Sequence, residues 1–190
     1  VPIKGQGKRA GSSHILVAHN RPEYSVRSKA VTAAAAAVDE SAPFARWDGI
    51  WEGEFVTRRP DGTLVEKVRV QQKYTSLNSL EQDVFITDQR GSGPAIVSKG
   101  INRVVTGGLE CRVTDPNGVT KVLQGRQEGG AFFWHRRDPA AGIEESFREE
   151  IIALPDGDLY TIDGFGTYGV KTSSVLMFEG RYRRVGNPNR

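Results

Sequence analysis

The residues of this chain best equipped for chemistry are five that alternate, Ile143, Glu145, Phe147, Glu149 and Ile151. In extended backbone, side chains two apart share a face, so this spacing sets two carboxylates among three apolar neighbours. Turned inward, the pair would line a cavity and orient or protonate a polar ligand, with pKa values raised by desolvation. Turned outward, it would be solvated with Glu144, Ser146, Arg148 and Glu150. Charged side chains are seldom buried without a partner, which favours the outward orientation.

His135 follows Phe132-Phe133-Trp134 and precedes Arg136-Arg137. A histidine beside aromatic rings could ligate a haem iron, and the arginines could pair with propionate or phosphate. An isolated histidine more often only hydrogen-bonds, and a solvated strand end explains the arginines equally well. Cys111 alternates with Leu109 and Val113, which points it inward as a small hydrophobe, and no neighbour in sequence would activate it as a nucleophile. As the only cysteine, it excludes an internal disulfide and any multi-cysteine zinc site. Gly91-Ser92-Gly93 lacks the lysine and the helix of a phosphate loop. No catalytic constellation and no metal site emerges, so Glu145, Phe147, Glu149, His135 and Trp134 are candidate ligand contacts rather than catalysts.

These residues need strands to position them. Turn signals such as Arg59-Pro60-Asp61-Gly62, Asp115-Pro116-Asn117-Gly118 and Pro155-Asp156-Gly157-Asp158 separate nine or ten short runs between Ile50 and Val185. Regular spacing with hairpin chemistry predicts an all-β, up-and-down antiparallel barrel over residues 46–185, with 186–190 as a tail. Parity assigns faces: Trp51, Gly53 and Phe55 oppose Glu52 and Glu54, and Phe178, Gly180 and Tyr182 oppose Glu179, Arg181 and Arg183. Gly164-Phe165-Gly166-Thr167-Tyr168-Gly169 fits a flexible lip at the barrel mouth, a docking surface where backbone comes close to a partner, or a strand bent by its glycines. Large inward side chains (Trp51, Phe55, Phe132, Trp134, Phe178, Tyr182) could fill so small a barrel completely.

Residues 1–45 differ from the rest. Up to Val38 they hold six basic side chains (Lys4, Lys8, Arg9, Arg21, Arg27, Lys29) and one acid, Glu23, leaving the remainder with two more acids than bases. The folded part thus lacks the net basic charge expected of a nucleic-acid-binding barrel. Arginine, serine and alanine with little acid resemble an organelle transit segment, or what remains after its cleavage. The alternatives are a docking segment, through which those six basic residues meet protein partners, and an arm of no special purpose. No apolar run approaches the roughly eighteen residues of a membrane-spanning helix.

Asp48-Gly49-Ile50-Trp51-Glu52-Gly53-Glu54-Phe55, followed by Arg59-Pro60-Asp61-Gly62-Thr63-Leu64, resembles the lipocalin-like (calycin) barrels of cyanobacteria and plastids. That group includes the phycobiliprotein chromophore lyases, and the resemblance spans Trp47 to Arg184. It implies that Gly49 and Trp51 open the first strand and that an arginine of the last strand (Arg181, Arg183 or Arg184) stacks on the indole and closes the barrel. It further implies an accessory or binding protein of a plastid photosynthetic assembly, taking a tetrapyrrole pigment or a lipid. The alternatives are a soluble carrier of such ligands or a lyase-like enzyme attaching bilins. The expected location is the chloroplast stroma or the stromal membrane face, or the cytoplasm for a bacterial source.

Overall fold

Alternation of apolar and polar side chains, broken at glycine- and proline-containing turns, produces ten antiparallel strands. The structure is a computed structural model describing residues 42–170 and 173–186. The strands are β1 (Gly49–Arg58), β2 (Leu64–Ser76), β3 (Glu81–Gln89), β4 (Ile96–Val105) and β5 (Gly108–Thr114), then β6 (Thr120–Glu128), β7 (Ala131–Asp138), β8 (Ile143–Ile152), β9 (Leu159–Tyr168) and β10 (Ser174–Gly186). Each pairs with its neighbours in sequence and β1 also pairs with β10, so the sheet closes into an up-and-down barrel, as the turn spacing predicts. Closure leaves no free sheet edge.

One end of the barrel is filled. A single 3₁₀ turn, Ala45–Trp47, lies across it and inserts Phe44 and Trp47 beneath the strands. Trp47 stacks on Phe132 with ring centroids 4.0 Å apart, and Trp51 meets Tyr160 edge-on at 5.5 Å. Such aromatic pairs add about 0.5–1.5 kcal/mol each beyond the area they bury. Hydrogen bonds fasten the turn in place. Gln82, fully buried, donates from Nε2 to Phe44 O (3.0 Å) and to Asp48 Oδ1 (2.9 Å). Asp48 Oδ1 also accepts from the Ser76 backbone N–H at 2.8 Å, and Trp51 Nε1 donates to Trp47 O at 2.8 Å.

Barrel closure follows the expectation with one correction. The arginine over the Trp51 ring is Arg184, 4.2 Å from the ring centroid, not Arg181 or Arg183. Parity is the reason: Arg184 falls on the row of Phe178, Gly180 and Tyr182, while Arg181 and Arg183 point outward. A register shift at Ile50/Trp51 then sets Trp51 opposite Arg184. Arg181 pairs instead with Asp163 at 2.7 Å, and Arg183 with Asp156 at 3.2 Å. Arg184 also donates to the carbonyls of Asp48 and Arg46, tying the 3₁₀ turn to the last strand. Gly49 is required beside it: its φ is +142°, and a Cβ there would lie 2.6 Å from Arg184 Nη1.

The glycine-rich run after Asp163 is strand, not lip. Gly164 and Gly166 continue β9, paired on both sides with β8 and β10. The basic arm and the tail after Gly186 lie outside the described residues, as do the expectations made for them.

Candidate functional site

The other half of the barrel is hollow. Its walls carry smaller side chains than the base: Val68 and Val70 of β2, Val84 and Ile86 of β3, Cys111 and Val113 of β5, and Leu123 of β6. They surround a cavity of about 280 Å³. Phe55, Ile86, Val113, Leu123 and Phe147 also line a wider mouth of about 650 Å³, so cavity and mouth are continuous. Inward aromatic residues therefore fill the barrel at one end only. Gly125 of β6 leaves room for the ring of its cross-strand neighbour Trp134, from which a Cβ there would lie 2.3 Å.

Glu149 lies deep in this cavity, surrounded by protein yet partly accessible from the lumen. Removal from bulk water raises its pKa from 4.5 to about 7, and hydrogen bonds from Trp134 and Tyr160 hold it from rising further. Around it, Tyr74 donates to Gln72 Oε1 at 2.6 Å, and the Tyr74 and Tyr160 hydroxyls are 3.2 Å apart. Burial first, and the Glu149 charge second, push the hydroxyls of Tyr74, Tyr160 and Tyr182 and the thiol of Cys111 well up. Cys111 is thus a neutral wall residue rather than a nucleophile. Two buried polar atoms of cavity-lining residues, Asn102 Oδ1 and Tyr182 Oη, have no hydrogen-bond partner. Native proteins rarely leave such atoms unpaired, and where they do a ligand or water commonly completes them.

Charged pairs ring the mouth. Arg136 Nη1 is 3.2 Å from Glu145 Oε2, both side chains being nearly buried, and Tyr168 donates to Glu145 Oε1 at 2.5 Å. Across the opening Arg90 pairs with Glu66 at 2.8 Å. Asp88 beside them has a raised pKa because it is partly buried, with Arg90 and Lys121 opposing the rise.

The structure brings four of the five candidate ligand contacts together. Glu145, Phe147, Glu149 and Trp134 all face inward, Glu145 at the mouth and the others on the cavity. The preference for a solvated Glu145/Glu149 face is therefore overturned. Glu145 obtains its partners from Arg136 and Tyr168, and Glu149 is tolerated because its raised pKa lets it shed its charge. His135 is the exception. It falls on the outward row of β7, contacts Ser146 Oγ at 3.2 Å, and cannot reach a ligand in the lumen. Arg136, its neighbour, is the inward one. Tyr74, Tyr160, Asn102 and the mouth residues Asp88, Arg90 and Lys121 were not singled out from the sequence. The inward parity of β2, which places Gln72 and Tyr74 on the row of Val68 and Val70, is the signal that would have flagged two polar groups there.

Among the described residues no cluster of three or more His, Cys, Asp or Glu could hold a metal ion, and no helix is long and apolar enough to cross a membrane.

Comparison with solved structures places the chain beside the S-type phycobiliprotein lyase CPES of Guillardia theta, at a TM-score of 0.57 and 13% identity over 75% of this chain and 90% of the lyase. The Rv2717c protein of M. tuberculosis is similar at a TM-score of 0.52 and 14% identity, over 75% of this chain and 94% of that one. No protein-family model matches the sequence, and no curated protein does. At these identities the likeness is one of fold, and it agrees with the lipocalin-like barrel that the opening motif implies.

Proposed function

We propose that this barrel is a non-catalytic binding protein that takes a small, mainly apolar ligand into its hollow half. The observation that supports this most is the division of the interior. One end is packed with aromatic rings, and the other is an open-mouthed cavity of about 280 Å³ with apolar walls and a few polar groups at its inner end. Binding sites for small molecules have this form, with apolar lining for affinity and sparse polar groups for orientation.

The size of the cavity bears on which ligand. Pockets that enclose a drug-sized molecule run to about 300–1,000 Å³, so the inner cavity accepts one or two rings or a short chain. A four-ring tetrapyrrole would enter by one end only. The remainder would lie across the mouth, where Arg90 and Lys121 could meet its propionates. The likeness to a lyase extends no further than the fold, so bilin attachment is not part of this proposal. Docking into a plastid assembly through residues 1–45 accompanies it and rests on composition alone.

The test is fluorescence of N-phenyl-1-naphthylamine, a neutral two-part aromatic probe, on addition of the protein. Saturable enhancement with the wild type, and its loss in a folded Leu123→Trp variant that fills the cavity, is the expected result. Enhancement that survives Leu123→Trp would place the probe elsewhere and remove the reading. Repeating the titration without residues 1–41 separates its two parts: unchanged binding leaves the arm free for docking, and lost binding makes the arm part of the ligand site.

A further inference from the structure

The inner end of the cavity holds one carboxylate, Glu149, with no cation to balance it. The only basic side chains among the lining residues are Arg90 and Lys121, and both also line the mouth, where Arg90 is already engaged by Glu66 at 2.8 Å. Glu149 has no cationic neighbour among the influences on its titration, only hydrogen bonds from Trp134 and Tyr160. Asn102 donates its amide N–H to Gln82 at 3.0 Å, which leaves its buried Oδ1 without a partner. Tyr182 Oη is likewise unpartnered. Aromatic faces complete the surroundings: Tyr74, Trp134 and Tyr182 line the same cavity. A carboxylate and aromatic faces together recognise a positively charged nitrogen, which the rings attract by their quadrupoles. A fatty-acid carboxylate would meet a charge of its own sign there.

We propose that the ligand's buried end is an organic ammonium group, held by Glu149 among the rings of Tyr74, Trp134 and Tyr182, and carried on an aromatic or short aliphatic body. This deepens the reading of the interior as a ligand site and rests on it. An alkylammonium stays charged well above neutrality, so the pairing depends on the ionisation of Glu149. The titratable groups facing Glu149 are Cys111 of β5, Tyr74 of β2, Tyr160 of β9 and Tyr182 of β10, all held neutral by burial, with Asp88 of β3 nearer the mouth.

Displacement of bound N-phenyl-1-naphthylamine by 2-phenylethylammonium, 2-phenylethanol and phenylacetate, at pH 8 and pH 6, tests it. At pH 8 the ammonium should displace the probe at a concentration about tenfold below that of the alcohol, the scale of one charge-assisted hydrogen bond. Phenylacetate should be the weakest of the three. At pH 6, and in Glu149→Gln at either pH, the advantage of the ammonium should shrink to about threefold or less. Equal displacement by alcohol and ammonium at pH 8, or an advantage that survives Glu149→Gln, overturns the proposal. If that variant does not fold, the wild type decides alone, and an ammonium-to-alcohol ratio unchanged between pH 8 and pH 6 overturns it. A protein that admits the neutral probe without preferring the ammonium loses only this inference; one that admits no probe loses the ligand site as well.

Discussion

The two ends of this barrel are built from the same ten strands with the same inward and outward alternation, yet one is solid and the other hollow. At the base Phe44, Trp47, Trp51, Phe132, Tyr160 and Tyr182 are all essentially buried, and Gln82 and Asp48 tie the 3₁₀ turn to its neighbours. Toward the mouth the corresponding rows carry Val68, Val70, Val84, Ile86 and Val113. Side-chain volume around the circumference therefore decides whether a barrel of fixed strand number is a core or a container. Packed core and open cavity are separated along the axis, with Glu149 at the boundary between them.

Truncation should show that separation most strongly. Trp51→Ala removes the ring on which β1, β10 and the 3₁₀ turn converge and should cost about 3–5 kcal/mol in urea unfolding. Leu123→Ala, on the wall of an existing cavity, should cost about 2 kcal/mol or less, since it enlarges a space that is already open. Equal costs would abolish the distinction between core and container.

Glu149 sharpens the boundary through pH. Its folded pKa of about 7 lies above the ordinary 4.5, so below about pH 4.5 it is protonated in both states and imposes no cost. As pH rises from there to 7 the unfolded chain releases the proton first, and stability falls. Above pH 7 the full penalty applies, up to about 3 kcal/mol and reduced by water in the cavity. Glu149→Gln should therefore stabilise the protein at pH 8 and not at pH 4.5. Urea midpoints of both proteins across that range check it, and a constant difference would move Glu149 out of the boundary.

The smallest effect belongs to the closure of the base. Arg184→Ala loses the contact with Trp51 and the bonds to the Asp48 and Arg46 carbonyls, and should cost about 1–2 kcal/mol. Arg183→Ala, which loses only an exposed pair with Asp156, should stay within about 0.5 kcal/mol. The same loss for both would mean that the stacked arginine does not secure the base.

Much of the fold is legible in the primary structure. Turn residues such as Pro60-Asp61-Gly62 and Pro116-Asn117-Gly118 mark the strand ends because they favour backbone that strands do not use. Parity puts Trp51, Phe55, Trp134 and Tyr182 inside. Carried two residues beyond Tyr182, it would also have chosen Arg184 over Arg183. The site is harder to read. Glu149 looks like a solvated glutamate because a local pattern gives no view of what stands across the lumen, and the expected cost of burying it was the wrong guide. His135 attracted notice for its aromatic neighbours, although the same alternation that buries Trp134 turns it outward.

By itself, then, the sequence determines the strands, the faces of β1 and β10 and the tryptophan at which the barrel closes, because each depends on residues one or two apart or on a single turn. Only the tertiary structure decides that the mouth half is empty, that Glu145 has Arg136 and Tyr168 while Glu149 has no cation, and that Asn102 and Tyr182 each keep a buried polar atom without a partner. Those facts are sums over side chains from many strands brought face to face, and a period of two residues along one strand carries no information about the opposite wall.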